Sequence, residues 1–202
     1  MNGIFRIAGV VEGYGEVKAF PLLVRRVAQA VAPLVLIEVP EPDRYPRDRL
    51  LKPGELERAV QLAARSIEGY GAVFVLLDAD KDCPAELGPR LLERATAVRG
   101  DVHISVVLAK HEYEAWFLAA AESLRGYRNL DVTLRPPPDP EGIRGAKEWL
   151  ERQMPKDRRY RETTDQPALT AVLDLDVARR ADSFDKCYRE IVRLLTLARI
   201  TR

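Results

Sequence analysis

Four short apolar runs constrain this chain more than any other feature: IFRIAGVV at 4–11, LVLIEV at 34–39, AVFVLL at 72–77 and VHISVVLA at 102–109. They are apolar at nearly every position rather than every second one. That is the pattern of strands covered on both faces, as in a parallel sheet. Helical spacing follows them. Residues 16–31 place Val17, Phe20, Leu23, Val24, Val27 and Val31 at helix offsets, with Pro21 tolerated in the first turns. Residues 54–68 put Leu56, Ala59, Val60 and Ala63 on one face. Residues 84–99 open on Pro84, a favoured first-turn residue, and KHEYEAWFLAAAESL at 110–124 predicts a fourth helix. Four alternations predict an α/β fold with a mainly parallel four-stranded sheet and helices on both faces.

The remainder reads differently. Residues 40–53 are a loop rich in proline and arginine, and 127–140 a connector with prolines at 136, 137, 138 and 140. Residues 141–153 and 184–199 carry helical patterns, while the stretch between them is polar and then mildly apolar. The apolar faces of the late helices predict packing on the sheet. The expected organisation is an α/β core over 1–125 and a C-terminal helical extension over 126–202, together one structural domain. Trp116 and Trp149 sit in apolar helical patterns and read as core.

Charge and cysteine counts exclude several classes. Lys plus Arg is 32 and Asp plus Glu 31, a net charge of +1, so the chain is not coated in basic charge, although a local basic patch remains compatible. Two cysteines, Cys83 and Cys187, and two histidines, His103 and His111, make neither a disulfide framework, a zinc site nor a His-rich metal centre. MNGIFRIAGVVEG is too soon interrupted for a signal peptide, and no apolar run approaches the roughly 18 residues of a membrane span. A cytoplasmic protein is expected.

The acids then stand out by position. In a parallel sheet all strand C-termini share one edge, where ligands bind near a switch in strand order. Strand one ends at Glu12, with Glu16 a turn into the next helix. Strand three ends at Asp78, with Asp80 and Asp82 following, and strand four ends near Glu112 and Glu114. Clustered carboxylates repel unless a cation or proton compensates. Hard oxygen ligands without His or Cys point to Mg2+ or Mn2+. On an extended backbone Asp78 and Asp80 point the same way and can address one metal. Taken singly, each acid also has an ordinary reading: Glu12 and Glu16 as a solvated turn and a helix-dipole partner, DADKD as an Asp-rich turn, Glu112 and Glu114 as helix N-terminal acids. Convergence on one edge favours the metal.

A strand ending in Glu-Gly, a helix, and a later strand ending in Asp-x-Asp resembles the Toprim pattern of topoisomerases, DnaG-type primases, recombination proteins and overcoming-lysogenization-defect nucleases. VEGYGEVKAFPLLVRR, LLDADKD, HEYEAWFLAA, DQPAL and SFDKCYREI resemble, more narrowly, the Toprim-like domain-of-unknown-function family 4276 through most of the chain. The resemblance implies a Toprim/Rossmann-like fold and a Mg2+- or Mn2+-dependent site. Glu12 is then general acid/base or ligand, and Asp78 and Asp80 bind metal as catalytic residues. Glu16, Asp82 and Glu114 are further candidate ligands. It implies hydrolysis of a DNA or RNA phosphodiester, alone or with a separate ATPase partner, and an association with phage defence. The long stretch between Glu12 and Asp78 departs from the pattern. No topoisomerase tyrosine domain or primase zinc module accompanies the site, so strand passage and primer synthesis are not expected.

Candidate phosphate contacts are Arg44 and Lys52 in the Pro-rich loop, which also holds Arg47 and Arg49, together with Lys81 and Lys110 beside the acids. Lys156 opens a second basic group with Arg158, Arg159 and Arg161 around Tyr160, a composition suited to a nucleic-acid strand and equally to a solvated loop. Two other functions stay open: a non-catalytic module binding a nucleotide or protein partner, and a small-molecule phosphatase or phosphotransferase on the same metal site.

Overall fold

A computed structural model describes residues 4–67 and 70–200. Its central sheet contains β1 (Phe5–Val11), β2 (Ile37–Glu38), β3 (Asp43–Arg44), β4 (Gly71–Asp78) and β5 (His103–Ala109), all paired in parallel. The strand order is β2-β1-β4-β5, with β3 pairing the C-terminal end of β1. The chain leaves β1 toward one side of the sheet and returns to β4 on the other, so the switch in strand order falls between β1 and β4.

Side-chain alternation divides the core in two. Phe5, Ile7, Val11, Phe74, Leu76 and Val107 face one side, where α1 (Glu16–Val31) and α9 (Asp182–Ile200) cover them. Val10, Val73, Val75, Leu77, Val106 and Leu108 face the other, under α3 (Glu55–Arg65) and α4 (Pro84–Val98). Strands β1, β4 and β5 are thus apolar on both faces, which is why their runs are continuous. Residues beyond 126 contribute Leu130, Leu134, Leu150, Leu169, Phe184 and Ile191 to the first cluster. Trp116 is fully buried there, and Trp149 packs against it partly buried. Among the described residues no helix is long and apolar enough to cross a membrane.

Several boundaries differ from the expectation. The second strand is only two residues long; Leu34 is 84% exposed, and 33–35 form a turn before the Leu36 carbonyl accepts the Phe5 N–H at 2.9 Å. The 40–53 loop contains β3 and α2 (Arg47–Leu50). The fourth predicted helix starts late, at α5 (Ala115–Ala119), and continues as a 3-10 turn over Ala121–Leu124. It is delayed because residues 110–114 turn sharply, with His111 at φ 63°. The helix predicted over 141–153 is shorter, α6 (Ala146–Arg152), entered through Gly145 at φ 76°. The stretch between late helices contains α7 (Glu162–Val172) and the short α8 (Leu175–Ala178). The buried face of α7 carries Asp165, Gln166 and Thr170, so a search for apolar period passes over it.

Candidate active site

Glu12 leaves β1 and Asp78 ends β4, side by side at the switch point. The Asp78 N–H donates to Glu12 Oε2 at 3.1 Å. Glu16 turns back over the connecting turn, where its Oε2 accepts from the N–H groups of Glu12 (2.9 Å) and Gly13 (3.0 Å). This holds Glu16, only 3% exposed, against the start of its own helix. Asp78 Oδ1 accepts the Tyr113 N–H at 2.9 Å, which ties the turn after β5 to the end of β4. The next residue, Glu114, is fully buried. Its Oε1 accepts from the Tyr160 hydroxyl at 3.0 Å, while its Oε2 has no hydrogen-bond partner.

A cation arrives from far along the chain. Lys147 on α6 lies with Nζ 4.0 Å from Glu114 Oε2 and 3.3 Å from Glu162 Oε2. Glu112 sets that helix, since its two carboxylate oxygens accept the Gly145 and Lys147 N–H groups at 3.1 and 3.2 Å. Glu112 is therefore an N-terminal cap of α6. The two glycines of the opening turn are explained by α7. A Cβ on Gly13 would run into Glu162 Oε1, and one on Gly15 into Gln166 Oε1 and the Glu162 carbonyl. Helix α7 thus fills the space beside the glycines. Gln166 is itself buried with neither amide atom hydrogen-bonded.

These surroundings push proton affinities up. Burial, then the neighbouring carboxylates of Glu16, Glu114 and Glu12, hold Asp78 well above the usual carboxylate range. Burial raises Glu16 to about 7 against the two backbone N–H groups it accepts. Burial raises Glu114 to about 8 despite Lys147. Glu12 is raised by burial, partly offset by the Asp78 N–H. Partial burial works against the Lys147 ammonium, but Glu114, Glu162 and Asp78 outweigh it and raise its pKa.

Asp80 and Asp82 are elsewhere. Extended backbone stops at Asp78, and Asp80 takes φ 51°, so the two-residue alternation does not carry Asp80 to the side of Asp78. Asp80 and Asp82 are exposed and both pair with Arg47, at 3.5 Å for Asp80. Arg47 also donates to the carbonyls of Asp78 (3.0 Å) and Ala79 (3.3 Å). Arg47, Asp80, Lys81, Asp82, His111, Glu112 and Arg144 line a cavity of about 310 Å3.

The basic candidates scatter. Arg44 donates to the Glu12 carbonyl and stacks 3.9 Å over the Tyr14 ring. Lys81 is on the 310 Å3 cavity, Lys110 lines a separate groove, and Lys52 and Lys156 are exposed. The 156–161 group does not form a free basic track. Arg158 pairs with buried Asp165, Arg159 with Glu151, and Tyr160 turns inward to Glu114. Sequence reasoning missed Lys147, Glu162 and Gln166. All three lie in the C-terminal region, Lys147 and Glu162 with no local motif around them and Gln166 within DQPAL, and only the docking of α6 and α7 brings them to the edge.

Glu12, Asp78 and Glu114 offer hard oxygen donors, and the buried Glu114 Oε2, which has no hydrogen bond and only the Lys147 ammonium at 4.0 Å, fits a donor set for a divalent cation. Among the described residues, however, no group of three or more His, Cys, Asp or Glu side chains stands ready to hold a metal ion, so closure requires these carboxylates to re-aim. A family model described as "Domain of unknown function (DUF4276)" matches residues 11–191. No curated protein and no solved structure matches the chain.

Proposed function

The chain belongs to the DUF4276 family, and from that premise we propose that it is a divalent-metal-dependent hydrolase of phosphodiesters in DNA or RNA, built on a Toprim-type site. The observation that carries the reading is the Glu114 carboxylate, fully buried with one oxygen unpartnered, beside three other acids whose proton affinities are raised. Buried carboxylates without compensation are costly, and perturbed titration gathers at working sites. Glu12, Asp78 and Glu114 would hold Mg2+ or Mn2+. When bound, the metal supplies charge to a phosphoryl oxygen and makes water a better nucleophile near neutral pH.

The chain's own residues do the rest. Glu12 is partly buried, accepts the Asp78 N–H, and has its pKa raised by burial, so it is placed to take and return a proton. Glu16 makes no turnover contact; it locks the Glu12–Gly13 turn through two backbone N–H groups. Tyr160 holds Glu114 by one oxygen and leaves the other without a hydrogen bond, facing Lys147. Lys147 carries positive charge at the mouth, suited to a phosphate. Asp80 and Asp82 stand farther out with Arg47 and shape the approach. A cytoplasmic location, a separate ATPase partner and a role in phage defence are part of the same proposal, the last two resting on the likeness to Toprim nucleases.

A second reading is a Toprim-fold binding module without hydrolysis. It is favoured by Lys147, whose ammonium already sits at Glu114 and Glu162. One experiment separates them. The full chain is incubated with single- and double-stranded DNA and RNA in Mn2+ or Mg2+, alongside Asp78→Asn, with Mn2+ binding followed by calorimetry. Metal-dependent cleavage lost in the variant supports hydrolysis. Absence of both Mn2+ binding and cleavage of every one of these substrates would sink it.

A further inference from the structure

The outer edge of β5 lies on a cavity of about 500 Å3, apart from the carboxylate site. One wall is α4, with Pro84, Gly88 and Leu92; the other is α9, with Ser183 and Lys186. β5 is last in the strand order, so this edge has no strand neighbour. The hydrogen bonds at its two ends settle which residues face outward. Ala109 and His111 turn their carbonyls toward the β4 side, accepting from Ala79 N (2.8 Å) and Asp80 N (3.2 Å). Ile104 and Lys110 face the other way. The Ile104 carbonyl accepts from Arg193 at 3.1 Å, and the Lys110 N–H donates to Ser183 Oγ at 3.1 Å. Backbone polar groups alternate sides along a strand. Val106 and Leu108 therefore present their N–H and C=O groups to the cavity, between one cap from Arg193 and another from Ser183. Among the described residues no group hydrogen-bonds them on that side.

We propose that this groove receives an extended segment of a partner protein as an added strand, with apolar side chains against α4 and an acidic group at Lys110. Two backbone pairs without a protein partner form a template for a strand, whose regularly spaced N–H and C=O groups match them where those of a helix are already paired internally. The edge is recessed between two helices. A second copy, with its own β5 equally recessed, cannot reach it, whereas a single extended chain can. Charge accounting gives the acid. Glu141 is occupied by the Asp182 and Ser183 N–H groups at 3.0 Å. Lys186 pairs with Glu190 at 2.5 Å. Asp182 sits in the first turn of α9, where the helix dipole favours it. Lys110 lines the groove, and among the described residues it has no carboxylate within ion-pair distance.

The test pans a random octapeptide display library on the full chain. Enriched peptides alternate apolar residues and carry Asp or Glu. Their binding slows hydrogen exchange at the Val106 and Leu108 amides, and Lys110→Glu weakens it roughly tenfold or more. Gly88→Trp, whose side chain fills the groove beside Leu108, abolishes it; Leu92→Asp on the half-exposed wall serves if the Gly88 variant does not fold. The proposal is overturned by failure to enrich any peptide. It is equally overturned by enriched peptides that leave those two amides unprotected or bind Lys110→Glu equally well. A dimer of the chain alone that protects the same amides also overturns it, since the occupant is then a second copy.

Discussion

Two groups of acids share one sheet edge and are treated oppositely by the fold. Glu12, Glu16, Asp78 and Glu114 are drawn inward, with backbone N–H donors, Tyr160 and one lysine for company, and their proton affinities rise. Asp80 and Asp82 lie only two and four residues beyond Asp78, yet they stay in solvent and share Arg47. The difference teaches that an acidic motif is not one electrostatic object. A left-handed turn at Asp80 is enough to separate acids under electrostatic stress from acids already compensated. Stress of that kind is relieved by a bound cation or a proton, and either is useful in hydrolysis.

The strongest way to break the comparison is Asp78→Asn against Asp82→Asn. The asparagine oxygen still accepts the Tyr113 N–H, and the change removes a charge the site resists, so the fold is expected to persist. Metal-dependent cleavage should fall about 100-fold or more in Asp78→Asn and less than about threefold in Asp82→Asn. Equal losses in steady-state rates would mean that the two groups act as one.

Stability against pH comes next. Glu16 and Glu114 keep their protons in the fold up to about 7 and about 8, whereas the unfolded chain releases them near the ordinary 4.5. The folded state thus binds more protons through that window. The contribution of these two groups is full below about 4.5 and declines as pH rises toward 8, by about 1.4 kcal/mol per pH unit for each extra proton held. Urea denaturation at stepped pH should show the decline, and Glu114→Gln should flatten its upper part. A wild-type stability that holds level or rises from pH 5 to 8 would contradict the inward group's raised affinities.

Much of this edge could be read from the chain alone. Helix α1 spans the predicted 16–31, because its apolar offsets are regular and local. Glu12, Glu16, Asp78 and Glu114 were candidates because strand ends share an edge. The rest depends on contacts that no short window contains. Lys147 reaches Glu114 across 33 positions of sequence, and α7 conceals its buried face behind Asp165, Gln166 and Thr170. The separation of Asp80 from Asp78 rests on one backbone angle, which composition does not encode. At Gly13 and Gly15 of VEGYGE the space beside the backbone belongs to Glu162 and Gln166, which no reading of that turn alone contains.

Gly15→Ala sharpens the inward side of the comparison. Gly15 has an ordinary helical backbone, φ −69°, so alanine meets no conformational barrier there. Its methyl would instead strike Gln166 and the Glu162 backbone, pushing α7 away from the turn. Overpacking of this kind should cost about 1–3 kcal/mol, read as a lower urea midpoint. Metal affinity should fall with it, because α7 packs against the turn that carries Glu12. An unchanged midpoint would show that α7 does not brace the site.

The smallest effect is expected outside. Asp82 is about half exposed, and Arg47 has other partners: the Asp78 and Ala79 carbonyls and Asp80. Removing the Asp82 charge leaves the arginine held, and exposed ion pairs contribute about 0–1 kcal/mol, so Asp82→Asn should shift the urea midpoint by little. Arg47→Ala differs, because it strips charged hydrogen bonds from two carbonyls at the end of β4 and should cost about 1.5–3 kcal/mol. If Asp82→Asn proves as damaging as Arg47→Ala, the outer acids position the arginine rather than merely accompany it. The division of the edge into stressed and compensated acids would then have to be redrawn with Arg47 on the inward side.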